Sequence, residues 1–196
     1  MTKTAVYIIL KTDIKPKGPT TMTNAIVNRR SIRKYTDKAV SEEQVKELLT
    51  AASLAPSWTN SQPSRYYVAM GEARDKVADM LPEFNKNNVK NAPVLIVTTV
   101  VKGTSGYGKD GSARTHLGDG FTHFDNGLRV ENICLKAVEM GLGTLIMGIY
   151  NEAEIREYWN IPENQEIVCV LSVGYPEIQP DARPRLSVDE IATFRK

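Results

Sequence analysis

Val94-Leu95-Ile96-Val97-Thr98-Thr99-Val100-Val101 is the stretch that most constrains the fold. β-Branched residues dominate it and no charge interrupts it, so it predicts a strand in the middle of a sheet. A strand this apolar offers no wetted face, so other elements must cover it on both sides. The sequence around it supplies them. Ser41-Glu42-Glu43-Gln44 is a capping box ahead of Val45, Leu48, Leu49, Ala52 and Ala55, a spacing that buries one helix face before Pro56 stops the helix. Residues 65–70 read as a strand and 72–81 as a helix. Asp125 is expected to cap a long helix with the stripe Val130, Ile133, Cys134, Ala137 and Val138, terminated by Gly141 and Gly143. A strand over 144–149, a helix opened by the box Asn151-Glu152-Ala153-Glu154 and running to Trp159, and a strand over 166–173 follow. Strands and helices mixed in this hairpin-poor order imply a layered sheet with helices on both faces.

A chain of 196 residues can bury about 70% of its unfolded surface and needs no disulfide or metal to hold a core. The net charge of +2 argues against a general nucleic-acid binder. The charge is uneven, with nine cations against Asp13 and Asp37 in residues 1–40. Spread cations and an anion pocket account for this more simply than a basic arm for nucleic acid or membrane. Cys134 and Cys169 sit in apolar patterns without a metal spacing and read as buried free thiols, which fits a reducing cytoplasm. No stretch approaches 18 apolar residues, and Ala5 to Leu10 is too short for a signal segment, so a soluble, cytoplasmic protein is expected. Val6 to Leu10 reads as a strand, residues 15–19 as a stiff linker, and Met22 as a second natural start. Residues 1–21 are therefore expected to be an arm or strand extension, and 22–196 the domain.

Arg29-Arg30-Ser31-Ile32-Arg33 places three guanidinium groups and a hydroxyl in five residues, just after a helix that Thr23 can cap. Arg forks match phosphate oxygens bidentately, so the pentad suits a phosphate monoester. It equally suits a solvated basic helix end. Gly106-Tyr107-Gly108-Lys109-Asp110-Gly111 has the spacing of a dinucleotide fingerprint. Its third glycine opens no helical period, and no acidic residue ends a second strand about 20 positions on, so it reads as part of a flexible Gly-rich loop over 102–124. No Walker A loop, G-x-S-x-G or H-E-x-x-H occurs, and His116 and His123 both fall in that loop. A chain without an evident acid, base or nucleophile is what a bound cofactor carrying the chemistry would leave. Pro56-Ser57-Trp58-Thr59-Asn60-Ser61-Gln62-Pro63 reads either as a polar turn or as hydroxyls, amides and an indole lining a flat heteroaromatic ring.

Four separated features together resemble the FMN-dependent nitroreductase family. Residues 29–35 resemble its opening R-R-S-x-R-x-F/Y, and 56–63 its P-S-x-x-N-x-Q-P segment. Gly141-Leu142-Gly143-Thr144 with Met147-Gly148 resembles its G-L-G-T segment and following strand. Gly174-Tyr175-Pro176 leading to Arg183-Pro184-Arg185 resembles its close. The resemblance implies an α+β fold: a three-layer α/β/α sandwich around a mixed, mainly antiparallel central sheet, in a homodimer with FMN at the subunit interface. It implies Arg29, Arg30, Ser31, Arg183 and Arg185 around the phosphate and ribityl chain, and Arg33 at the pyrimidine edge. Pro56, Ser57, Trp58, Asn60 and Gln62 would reach the cofactor from the partner chain, with Met147-Gly148 facing flavin N5 and Asn85 or Asn88 bonding the ring. NADH or NADPH would be the donor and a small aromatic molecule the acceptor, with neither nucleic acid nor membrane as partner. A flavin destructase, a reductive dehalogenase and a non-catalytic redox module are the alternatives. Trp58, in place of a small residue, and Ser64, in place of a Trp, depart from the family pattern.

Overall fold

The computed structural model describes residues 22–196; the strand expected at 6–10 and the linker at 15–19 lie outside the described residues. Four strands form one sheet in the order β1-β2-β4-β3: β1 (Ser64–Met70), β2 (Val94–Val101), β3 (Gly143–Met147) and β4 (Gln165–Gly174). All three pairings are antiparallel, and a single parallel bridge, Ser31 to Thr144, brings the arginine pentad against β3. β2 lies between β1 and β4 as its composition demands, and its first seven residues are buried.

Alternation along β2 divides the core. Leu95 and Val97 pack with Val77 of α3 (Glu72–Asp79) and Ile155 of α6 (Glu152–Trp159). Val94 and Ile96 pack with Val45, Leu48 and Ala52 of α2 (Glu42–Ser53) and with Val130, Ile133 and Ala137 of α5 (Gly120–Glu139). Helices α1 (Met22–Asn28), α4 (Glu83–Asn88) and α7 (Val188–Ile191) complete the set among the described residues. α1 opens at Met22, one residue ahead of the cap expected at Thr23.

The α2 box forms in both directions: Gln44 N–H donates to Ser41 Oγ (3.2 Å) and Ser41 N–H to Gln44 Oε1 (3.0 Å). Ser41→Ala should therefore cost about 1 kcal/mol, measurable as a lower urea midpoint at unchanged slope. The C-terminus of α5 is also as expected. Gly141 has φ of 72°, Leu142 N–H reaches Ala137 O (2.7 Å) and Gly141 N–H reaches Val138 O (3.0 Å), which is a Schellman close. Its N-terminus differs. α5 begins at Gly120 with Asp119 in the cap position, so Asp125 is an interior helical residue and the preceding loop spans 102–119. Gly143 also proves not to be a terminator: a Cβ there would lie 2.4 Å from Ile32 Cγ1, so it is a close-approach glycine between β3 and the pentad.

Candidate functional site

The pentad is held by backbone bonds that begin at its fourth residue. Ile32 N–H donates to Thr144 O (2.9 Å), Thr36 N–H to Tyr175 O (2.9 Å), and Tyr35 and Pro176 bridge antiparallel. Tyr35 is buried, and its hydroxyl donates to Ile32 O (2.9 Å) while sharing a 2.7 Å bond with Ser172 Oγ. Desolvation is the main reason its phenol is pushed far above the ordinary range. It works as a fixed post behind the pentad.

The arginines so positioned are unequal. Arg29 retains 25% side-chain exposure, and its ion-pair partner Glu131, 50% exposed, lies at 3.8 Å. A half-solvated pair of this kind contributes about 0–1 kcal/mol, so the Arg29 fork is free to take a stronger anion. Arg33 is exposed, with one 3.3 Å contact to Ser31 O. Arg30 turns back: its Nη1 donates to Val27 O (2.7 Å) and Arg29 O (2.8 Å), closing the carbonyl end of α1, and its buried Nε has no partner. Of the two readings of the pentad, helix-end cation describes Arg30, whereas Arg29 and Arg33 present uncommitted donors beside the half-buried Ser31.

Arg183 and Arg185 lie in a wholly exposed tail, and Arg185 Nη1 contacts Arg183 O and Pro184 O (both 3.3 Å). The root of the tail is nearer: Gln179 Nε2 donates to Asn28 O (2.8 Å) beside Arg29. Arg183 follows four residues later, a reach of about 14 Å.

The second group stands on α5. Ser57 to Gln62 form a turn with three left-handed residues, Thr59 (φ 43°), Asn60 (59°) and Gln62 (49°). Such backbone costs about 1–3 kcal/mol per non-glycine residue and collects at functional sites, and β-branched Thr59 is the costliest of the three. Ser57 Oγ accepts from Gln62 N–H (3.1 Å), Trp58 N–H donates to Asp125 Oδ2 (2.9 Å), and the Trp58 ring meets Phe121 edge-on at 4.9 Å. Pro56, Asn60 and Gln62 are exposed and Ser57 and Trp58 half-buried. Among the described residues no hydrogen bond or ion pair joins this turn to the pentad.

Met147 is buried at the end of β3, and Gly148, exposed, would meet nothing within 4 Å of a Cβ. Asn85 is buried on α4 and donates its Nδ2 to Ile149 O (3.0 Å), so its amide fixes the backbone beside Gly148; Asn88 ends the same helix half-buried. The adjacent groove of about 320 Å³ is lined by Met80, Pro82, Ile149 and Tyr150 and by none of the predicted site residues.

Neither cysteine offers a nucleophile. Burial pushes the Cys134 thiol up to about 11 and raises Cys169 as well. No group of three or more His, Cys, Asp or Glu able to hold a metal occurs among the described residues, and no helix there is long and apolar enough to cross a membrane. Asp125 and Glu131 are the site residues sequence reasoning missed. Their signal was a position on α5 facing the turn and the pentad.

The model of the nitroreductase family matches residues 26–89 and 80–175. A protein of Archaeoglobus fulgidus, a candidate NADH dehydrogenase/NAD(P)H nitroreductase, is 33% identical over 174 residues, covering 85% of this chain and 93% of its own. The NADPH-flavin oxidoreductase of Vibrio harveyi is 28% identical over 170 residues, covering 82% and 68%. Among solved structures, a candidate nitroreductase from Exiguobacterium sibiricum in complex with FMN superposes with a TM-score of 0.78 at 23% identity, covering 92% of this chain and 100% of its own. With an antiparallel α+β fold and the family's segments in place, the chain belongs to the nitroreductase family.

Proposed function

We propose that this chain is an FMN-dependent oxidoreductase that uses NADH or NADPH to reduce nitroaromatic, quinone or related acceptors. The observation that carries the reading is the arginine pentad: among the described residues Arg29 and Arg33 keep donor forks without a strong carboxylate partner, on backbone clamped to β3 and the β4 exit. This donor set fits a phosphate monoester. Arg29 and Ser31 would hold the phosphate, with Arg183 and Arg185 closing over it from the tail, while Arg30 supports the site by closing α1. Arg33, a permanent cation, would sit at the pyrimidine edge and favour the more negative, reduced state of the ring.

A turn and a pentad that no hydrogen bond or ion pair joins among the described residues are compatible with a site built by two chains. The domain, residues 22–196, would be a three-layer α/β/α sandwich that pairs as a homodimer, each turn presenting Pro56, Ser57, Trp58, Asn60 and Gln62 to the partner's cofactor. The Met147–Gly148 backbone, braced by Asn85, with Asn88 on the same helix, would line the ring. FMN supplies, when bound, hydride acceptance and donation at N5. The chain contributes binding, orientation and an unobstructed backbone at Gly148 where donor and acceptor would stack in turn. Edge-packed Trp58, Phe121 and Phe124 offer a planar acceptor an aromatic wall. Residues 1–21 would be an arm outside this domain, and the setting the cytoplasm.

Donor and acceptor using one place in turn predicts ping-pong kinetics. Double-reciprocal plots against NADH or NADPH at several quinone concentrations should be parallel; intersecting lines would contradict the shared place.

A further inference from the structure

The turn bearing Thr59, Asn60 and Gln62 holds three left-handed residues within four. Such backbone persists only where surrounding structure over-determines it. Three of its bonds are internal: Asn60 N–H to Ser57 O (3.0 Å), Ser61 N–H to Trp58 O (2.8 Å) and Gln62 N–H to Ser57 Oγ (3.1 Å). Three come from elsewhere: the Ser61 Oγ to Ser105 Oγ bond (2.7 Å), the Trp58 N–H to Asp125 Oδ2 bond (2.9 Å) and the Arg65 Nη1 to Gln62 O bond (3.0 Å). Of these external partners Asp125 and Arg65 are charged, but Arg65 is exposed whereas Asp125 is buried, and a carboxylate accepting a backbone N–H makes a stronger bond than a neutral acceptor.

Asp125 belongs to a buried polar face on the first turns of α5. Thr122 Oγ1 donates to Ser105 O (3.3 Å), and Ser64 Oγ donates to Asn126 Oδ1 (2.8 Å) just past the turn. Asp125 is 2% exposed and Arg129, one helical turn on, 3%. Buried Nε and Nη2 of Arg129 make no hydrogen bond, and the Tyr66 hydroxyl lies close to Ser64 and Arg129 without bonding geometry to either. Residues four apart on a helix are neighbours, so the formal charges of Asp125 and Arg129 offset each other without a direct ion pair. Burying a carboxylate here is costly unless it is compensated and bonded; Arg129 supplies the first condition and Trp58 N–H the second.

We infer that Asp125 is a positioning residue: its carboxylate, charge-compensated by Arg129, pins the strained Ser57–Gln62 turn through the Trp58 N–H and so sets the geometry the turn offers to the flavin. The link to flavin rests on the function proposed above; the pin itself does not.

Full-length protein, stripped of FMN and then reloaded, separates the two. Amide hydrogen exchange of the 57–63 segment should become about 10- to 100-fold faster in Asp125→Ala, the factor a hydrogen bond to a charged group represents. Asp125→Asn, which keeps an acceptor oxygen, should restore most of that protection. Because Asp125→Ala leaves Arg129 uncompensated, the double variant Asp125→Ala/Arg129→Met is made alongside. It should regain thermal stability yet keep the fast exchange at 57–63. FMN affinity, titrated by flavin fluorescence, should fall about tenfold in both alanine variants and return in Asp125→Asn. Unchanged exchange in the double variant overturns the pin. Fast exchange with undiminished FMN affinity overturns its role in setting the flavin geometry. Failure of the wild type to bind FMN sinks the proposed function instead, and the exchange arm still decides the pin.

Discussion

Arg29→Glu is expected to lower FMN affinity by more than about 100-fold while leaving the fold intact. The magnitude follows from what Arg29 gives up. Its ion-pair partner, Glu131, is half-exposed and 3.8 Å away, so its loss costs the protein little. A bidentate fork on a phosphate makes two charge-assisted bonds, each about 1.5–3 kcal/mol, and about 3 kcal/mol is already 100-fold. Reversal also sets a carboxylate against the phosphate and against Glu131. The measurement is a fluorescence titration of apoprotein with FMN, with thermal unfolding as the control for folding. Arg33→Gln should act differently. Arg33 is exposed and, among the described residues, bonds only to Ser31 O, so its neutral variant should lower the flavin midpoint potential more than it lowers FMN affinity. The opposite pattern would overturn the division between a binding arginine and a tuning one.

Gly143→Ala should damage stability and site together. An added Cβ would lie 2.4 Å from Ile32 Cγ1 and 2.8 Å from Pro176 Cγ. Ile32 is 1% exposed, and its N–H is bonded to Thr144 O, so it cannot swing away without taking the pentad backbone with it. Overpacking of this kind costs about 1–3 kcal/mol, or several degrees of melting temperature at this chain length. Displacing Ser31 from Thr144 should weaken FMN retention in parallel. Gly141→Ala is the contrasting variant. Gly141 has φ of 72° and open space around its Cβ position, so its penalty of about 1 kcal/mol should appear in stability alone. Equal FMN loss in both variants would break the link between Gly143 and the pentad.

The features legible in the sequence share a short-range physical cause. β2 could be read because an uncharged β-branched run has few other places to go, and α2 because its cap and its apolar stripe are local. The start of α5 was misplaced because periodicity counts apolar residues, whereas Thr122, Asp125, Asn126 and Arg129 are polar and buried together. An Asp before an apolar stripe reads as a cap; here it is an internal acceptor for a distant N–H. α4, six residues of mostly polar sequence, carries no period at all. At the site, the pentad's chemistry was legible but its internal division was not: whether an arginine closes α1 or keeps its fork free depends on the backbone path past Asn28, which composition does not encode. The tail arginines lie at the opposite extreme, since both are exposed and Arg185 Nη1 bonds to the neighbouring tail carbonyls of Arg183 and Pro184.

Visible absorption of the purified protein tests the central claim most directly. Protein saturated with FMN and then desalted should keep the flavin's yellow bands at close to one FMN per chain, and anaerobic NADH or NADPH should bleach them, with colour returning on addition of a quinone. Colourless protein after FMN saturation would contradict the assignment of the pentad to a flavin phosphate. Yellow protein that neither nicotinamide bleaches would contradict the oxidoreductase reading while leaving flavin binding in place.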